Sequence, residues 1–213
     1  MLIQKYNLLT LALLLCCTAG FAQRTVLTPK ESAALKEGVA ASTRSLQSLQ
    51  SDFIQTKQLS YLENVVHSSG TLRFKAPGKI RWEYLSPTNY VVIFDGHNMH
   101  TVEGDRSKTV NLSANRRLKG LNDLLVGSVQ GGDMLDENRF NITYYREKTS
   151  YVAVLVPKEV TLRKYIQHVE LVFDQTTLLL SEVTLTDPTG ESTRLTFTNQ
   201  RKNISIPDTT FQP

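Results

Sequence analysis

The chain of 213 residues carries 24 Lys and Arg against 20 Asp and Glu, a formal net charge of +4, with 40% hydrophobic and 21% charged residues. That balance is too weakly basic to argue for nucleic acid, and the apolar fraction suits an ordinary buried core. Both cysteines, Cys16 and Cys17, lie near the N-terminus, so the rest of the chain has no disulfide, thiolate zinc site or cysteine nucleophile.

The N-terminus reads as a secretory signal peptide. Lys5 precedes an apolar run, Leu8 to Cys17, too short to span a bilayer comfortably, and small residues follow. Gly20 and Ala22 supply the small side chains at the minus-three and minus-one positions, so cleavage is expected after Ala22. Residues 1–22 would leave and 23–213 would form a single domain with a net charge near +3, exported to the periplasm or beyond. Lipidation at Cys16 or Cys17 is the rival reading. A lipobox wants a small residue before its cysteine, whereas Leu15 precedes Cys16 and Cys16 precedes Cys17.

The first mature element is a helix. Thr28 is placed to cap it, Pro29 to occupy its first position, and Glu31 to complete a capping box. Leu35, Val39, Leu46, Leu49 and Phe53, with Ser42 in the gap, follow a three-four spacing that predicts one apolar stripe, lying on a sheet. From about Ser51 the pattern changes to period two. Leu72 and Phe74 alternate with Arg73 and Lys75, and Ile80, Trp82 and Tyr84 alternate with Arg81 and Glu83. Tight turns are expected at Ala76 to Lys79, Asp95-Gly96, Gly104-Asp105 and Asp187 to Gly190.

Two strands, Tyr90 to Phe94 and Tyr151 to Val156, are apolar on both sides, so both faces must be covered. The helix stripe would cover one, and a second helix, barrel closure or a ligand the other. Leu118, together with Leu121, Leu124, Leu125 and Val126 between Gly120 and Gly127, forms a short helical segment suited to a lid or a connector. Strands resume through Phe140 to Tyr144, Tyr151 to Val156, Tyr165 to Phe173, Leu178 to Leu185 and Thr193 to Phe197. The order predicts an α+β fold: a strongly curved antiparallel sheet of about eleven strands, with helices on its open side.

Catalytic constellations are scarce. His97 and His100, three residues apart along a strand, point to opposite faces and suit no shared metal, and His67 and His168 are distant. No Gly-x-Ser-x-Gly elbow, P-loop or Gly-x-Gly-x-x-Gly occurs, and no carboxylate pair is singled out by spacing. The basic doublets at Arg116-Arg117, Arg163-Lys164 and Arg201-Lys202 lack interleaved aromatics, which again argues against nucleic acid.

The chain carries Phe53-Ile54-Gln55, then Gly70, Leu72 and Phe74, then Lys75-Ala76-Pro77-Gly78-Lys79-Ile80-Arg81-Trp82, and then Pro87, Val92 and Asp95-Gly96. In these residues and their spacing it resembles the LolA family of periplasmic carriers, which ferry lipoproteins from the inner to the outer membrane of Gram-negative bacteria. Asp187 to Gly190 and Phe197 fit a looser C-terminal pattern. The resemblance implies a half-barrel whose concave apolar face, lidded by helices, takes up acyl chains without enzymatic activity or cofactor. The lipid-facing candidates it implies are Leu72, Phe74, Ile80, Trp82, Val92, Phe94 and Met99, with Leu121, Leu124 and Leu125 from the lid; ordinary core is the plain alternative for each. It further implies a monomer that binds lipoprotein acyl chains, receives them from an inner-membrane ABC-type transporter and passes them to an outer-membrane acceptor. A lipid- or glycolipid-binding protein of the same fold is the alternative, and an exported hydrolase with an unrecognised site is a third.

Two departures stand out. The family's Lys-Arg-Pro triplet, whose Arg latches the lid, reads Lys75-Ala76-Pro77 here, so the latch is expected to be missing or supplied by Arg73 or Arg81. The sequence also ends soon after Phe211, without the longer tail of many members.

Overall fold

The computed structural model describes residues 24–60, 65–112 and 133–213. Its framework is one twelve-stranded sheet in which every neighbouring pair is antiparallel. The strands are β1 (Thr25–Val26), β2 (Ser48–Gln58), β3 (Val66–Lys75), β4 (Lys79–Ser86), β5 (Tyr90–Phe94), β6 (Asn98–Glu103), β7 (Arg106–Asn111), β8 (Phe140–Arg146), β9 (Ser150–Pro157), β10 (His168–Asp174), β11 (Leu180–Thr186) and β12 (Ser192–Lys202). Their spatial order is β1-β8-β9-β10-β11-β12-β2-β3-β4-β5-β6-β7. Two meanders therefore meet in the middle, where β12 pairs with β2. The sheet is open and curved; bulges at Ser69/Gly70, Val172/Phe173 and Thr198/Arg201 bend its strands. The twelfth strand, beyond the eleven expected, is the two-residue β1, too short to leave a pattern.

The turns follow their chemistry. Asp95 Oδ1 accepts from the backbone N–H of His97 and Asn98 at 2.8 and 2.7 Å, and Gly96 takes φ +100, which a side chain would resist. Asp187 Oδ1 likewise accepts from Thr189 and Glu191 before β12.

The long helix α1 (Pro29–Arg44) starts as its sequence predicts, with Thr28 and Glu31 forming the reciprocal capping box. It ends earlier than the three-four spacing suggests. Thr43 Oγ1 donates back to the Val39 carbonyl and Ser45 Oγ to that of Ser42, and Ser45 caps the helix. Leu49 and Phe53 therefore belong to β2, and Leu46 to the connection. A second correction concerns Tyr165: β10 begins only at His168, after a helical turn at Val160–Arg163.

Pairing partners across an antiparallel sheet share a face, so the register identifies one continuous apolar surface. Near one edge it comprises Tyr144, Ala153, Leu155, Leu171 and Phe173; α1 lays Leu35 and Val39 onto it. Lys36 and Glu31 tie the helix to Glu137 and Arg146 at 2.8 and 2.9 Å, and Ser42 Oγ donates to the Thr177 carbonyl. Helix α1 thus packs against β8 to β10. Among the described residues, no helix residue joins the apolar cluster on β2 to β5. The expected lid residues Leu121, Leu124 and Leu125 lie outside the described residues, as do residues 1–22.

The opposite face of β5 is covered by something the sequence reading did not consider. Ile93 is buried against Ile206 and Phe211 of the C-terminal segment, with Val91 and Ile204 beside them. Lys75 and Lys79 clamp Asp208 at 3.0 and 2.9 Å, and Lys75 also donates to the Ile206 carbonyl. The doubly apolar strand is explained by the chain's own end, which replaces the second helix, barrel closure or ligand.

Candidate functional site

The seven described candidates occupy the same face in consecutive rows. Ladder partners give Leu49–Phe74–Ile80–Phe94–Met99 as one row and Ser51–Leu72–Trp82–Val92–Thr101 as the next. A third row contains Phe53, Gly70, Tyr84 and Tyr90, and β12 continues it with Phe197. Period-two alternation on each strand produces this surface, because a residue and its ladder partner must point the same way.

Burial divides the rows. Phe74, Ile80 and Phe94 are at most 1% exposed, in a cluster with Leu46, Leu112 and Leu179 from the connections at that end of the strands. This row is a packed floor. Leu72 is buried too, whereas Val92, Met99, Tyr84, Leu195 and Phe197 are half-buried around Trp82. The exposed part of the surface is therefore wider than the candidates read from sequence. It adds Tyr84, Tyr90, Leu195 and Phe197, with Phe53, 1% exposed, buried among them; the alternation Phe53-x-Gln55 and Trp82-x-Tyr84 was the available signal.

Aromatic rings organise the middle. Phe53 lies 5.0 Å from Trp82 and 5.1 Å edge-on from Tyr84, Trp82 meets Phe197 at 6.2 Å, and Tyr84 stacks on Tyr90 at 4.9 Å. Gly70 makes room for them: a Cβ there would sit 2.8 Å from Phe53 Cζ and closer still to the Glu83 carbonyl, so only glycine admits the Phe53 ring beside the bulge. The Tyr84 hydroxyl donates to Gln55 Oε1 at 3.0 Å. Burial, with a smaller contribution from Tyr90, pushes that phenol up to about 12, so it stays protonated at physiological pH.

Charge is held on the other face. Arg73 and Arg81, ladder partners of each other, both bridge Glu83 at 3.1 and 3.2 Å, and Arg81 also donates to the Thr210 carbonyl. Hydrogen bonds from Arg81, ahead of those from Arg73, keep the Glu83 carboxyl below its ordinary range. Neither arginine points into the apolar face; both are engaged with Glu83. Ala76 instead packs against the apolar cluster. His100 lies on this second face as well, against Asp95 at 3.0 Å and Thr109 at 2.9 Å. Burial would raise the Asp95 carboxyl, but hydrogen bonds from His100, Asn98 and His97 outweigh it and hold the group well below the usual carboxylate range. Among the described residues no three His, Cys, Asp or Glu are grouped to hold a metal ion.

Such a surface offers shape, apolar contact and neutral polar groups. Comparison with known proteins points the same way. The model of the family described as outer membrane lipoprotein carrier protein LolA matches residues 44–213. An outer-membrane lipoprotein carrier protein of Legionella pneumophila is 23% identical over 176 residues, 83% of each chain. Its counterpart in Methylococcus capsulatus is 26% identical over 195 residues, 91% of this chain and 86% of the relative. The crystal structure of the Mycobacterium tuberculosis lipoprotein LppX shares the fold, with a TM-score of 0.50 at 11% identity over 84% of this chain and all of that one.

Proposed function

The chain belongs to the LolA family of outer membrane lipoprotein carriers, whose members are periplasmic binding proteins and not enzymes, and from that premise we propose that it carries lipoproteins between membranes. The observation that supports this reading is the one-sided register: an aromatic and aliphatic face, half-buried around Trp82, backed by a face that holds the charges. Residues 1–22 act as a cleaved signal peptide and residues 23–213 as one carrier domain. The acyl chains lie along Trp82, Val92 and Met99, with Leu72, Phe74, Ile80 and Phe94 as the floor and Leu121, Leu124 and Leu125 as the lid.

The energetics require a shelter. Each methylene buried is worth about 0.8 kcal/mol, so several tens of them in a triacylated lipoprotein prohibit free diffusion through water. Release then needs a face that reorganises, and the protein itself supplies no energy source. It acts as a monomer, loaded by an inner-membrane ABC-type transporter and unloaded by an outer-membrane acceptor. A second cargo class, free lipids or glycolipids, is favoured by Ala76: without an arginine there, and with Arg73 and Arg81 turned away, closure does not depend on the family's latch.

Native mass spectrometry of the protein with a triacylated lipoprotein, and separately with free phospholipid, tests both readings. A one-to-one complex with the lipoprotein alone is expected. Binding of free phospholipid only would transfer the assignment to a lipid carrier, and binding of neither would overturn both.

A further inference from the structure

The aromatic face contains one polar group that the fold leaves unused. Trp82 is 9% exposed, and its buried indole N–H has no hydrogen-bond partner among the described residues. A buried donor in this state costs free energy unless something else completes it. The other such atom among the described residues, Thr71 Oγ1, belongs to the opposite face. The indole N–H lies near enough to the Tyr84 hydroxyl to oppose the upward push on it, yet it makes no full hydrogen bond there.

Two rows along, Gln55 is 8% exposed. Its Oε1 is taken by the Tyr84 hydroxyl, and its side-chain nitrogen donates to nothing among the described residues. Trp82, Tyr84 and Gln55 thus form a small polar island with spare N–H donors inside an apolar surface made of Phe53, Val92, Leu195 and Phe197.

The island selects its ligand by charge. None of its three side chains carries one, so nothing in it compensates the desolvation of a phosphate, for which arginine or lysine is the usual partner. An uncharged acceptor that arrives attached to hydrocarbon suits it: the carbonyl oxygen of an acyl ester or amide. Resting on the carrier reading, we infer that the Trp82 N–H, assisted by the Gln55 amide, binds an ester or amide carbonyl at the head of the acyl cargo. The linkage is then fixed at the polar island while the chains run over Val92, Leu195 and Phe197. The apolar face supplies affinity, and the island supplies orientation and a preference for acylated over plain alkyl cargo.

The test compares cargo that differs only at the carbonyl. A diacylglyceryl-cysteine peptide with ester-linked chains and the same peptide with ether-linked chains are titrated against the protein, and an ester/ether phosphatidylcholine pair forms the second arm. Trp82 is the only tryptophan, so its fluorescence reports both titrations and its indole N–H vibrational band reports hydrogen bonding directly. The expected result is roughly fivefold to tenfold tighter binding of the ester form, a single neutral hydrogen bond's worth, with the N–H band shifted to lower frequency by the ester and not by the ether. In Trp82→Phe, followed through displacement of a fluorescent fatty acid, the ratio of ester to ether affinity falls to about one, whatever the change in overall affinity. The arm that shows the preference identifies the source of the carbonyl.

Equal binding of ester and ether to the wild type, with no band shift, overturns the inference and leaves the carrier reading intact. A preference that survives Trp82→Phe overturns the assignment to Trp82. Failure of all four ligands to bind overturns the carrier reading itself. If Trp82→Phe does not fold, the wild-type ratio and the band shift decide alone.

Discussion

Two regions of one apolar face have different fates. Over β8 to β10 the face meets α1, and Leu35 and Val39 close it into a core with Leu171 and Phe173, each at most 4% exposed. Over β12 and β2 to β6 the same alternation yields a packed floor at one end and half-buried Val92, Leu195 and Phe197 beyond it. Alternation alone does not tell a core from a binding surface. The second region differs in its ring-to-ring contacts about Trp82 and in the buried indole N–H there, which has no acceptor among the described residues.

The largest effect is expected at the floor. Ile80→Glu puts a carboxylate at a position 1% exposed, and a loss of roughly 3–5 kcal/mol, enough to unfold a marginal domain, should appear in urea denaturation. The same change at Val92, half-buried, should leave the protein folded and remove lipid binding instead. A folded Ile80→Glu protein would mean that the floor opens and that the division between the rows is misplaced.

A matched pair sharpens the contrast between the regions. Leu171→Ala, under the helix, should cost about 2–5 kcal/mol, whereas Leu195→Ala should cost about 1 kcal/mol or less and weaken acyl binding severalfold. Equal costs would erase the distinction. Loosening the roof itself has a smaller effect: Thr28→Ala removes the α1 capping box and should lower stability by about 1 kcal/mol in thermal melts, without touching lipid affinity.

The smallest effect depends on pH and belongs to the hairpin that carries Phe94 and Met99. The folded-state pKa of Asp95 is depressed, so its stabilising contribution is complete above the ordinary carboxylate range and is lost as pH falls below about 4. Asp95→Asn should be less stable by about 1 kcal/mol at pH 6, with the difference shrinking toward pH 2. A constant difference across that range would show that geometry, not charge, is what Asp95 provides.

Much of this was legible in the sequence. The capping box, the four turns and the facing of Leu72, Phe74, Ile80, Trp82, Val92, Phe94 and Met99 follow from local chemistry and a period of two. The end of α1 was not, because Leu46, Leu49 and Phe53 satisfy a three-four stripe while Leu49, Ser51 and Phe53 also alternate; hydroxyls returning to helix carbonyls at Thr43 and Ser45 decide between them. The cover on Ile93 was hidden for a different reason. Ile204, Ile206 and Phe211 flank Pro207 with no periodicity, and their partners lie more than a hundred residues earlier. The polar island required the register of β2 against β3 and β4, which no single strand reveals.

The pairing of β12 with β2 has a consequence in time. Phe53 meets Phe197 and Leu49 meets Lys202 at the centre of the sheet, so the seam on which both meanders depend joins residues about 150 positions apart. Closing a loop of that size precedes any reward from the contact, and folds dominated by such pairings form slowly. A chain emerging N-terminus first could zip β2 to β7 early but could not complete its middle until the last strand arrived. The topology thus postpones commitment to the folded state until nearly the whole polypeptide is present, an interval during which it remains threadable.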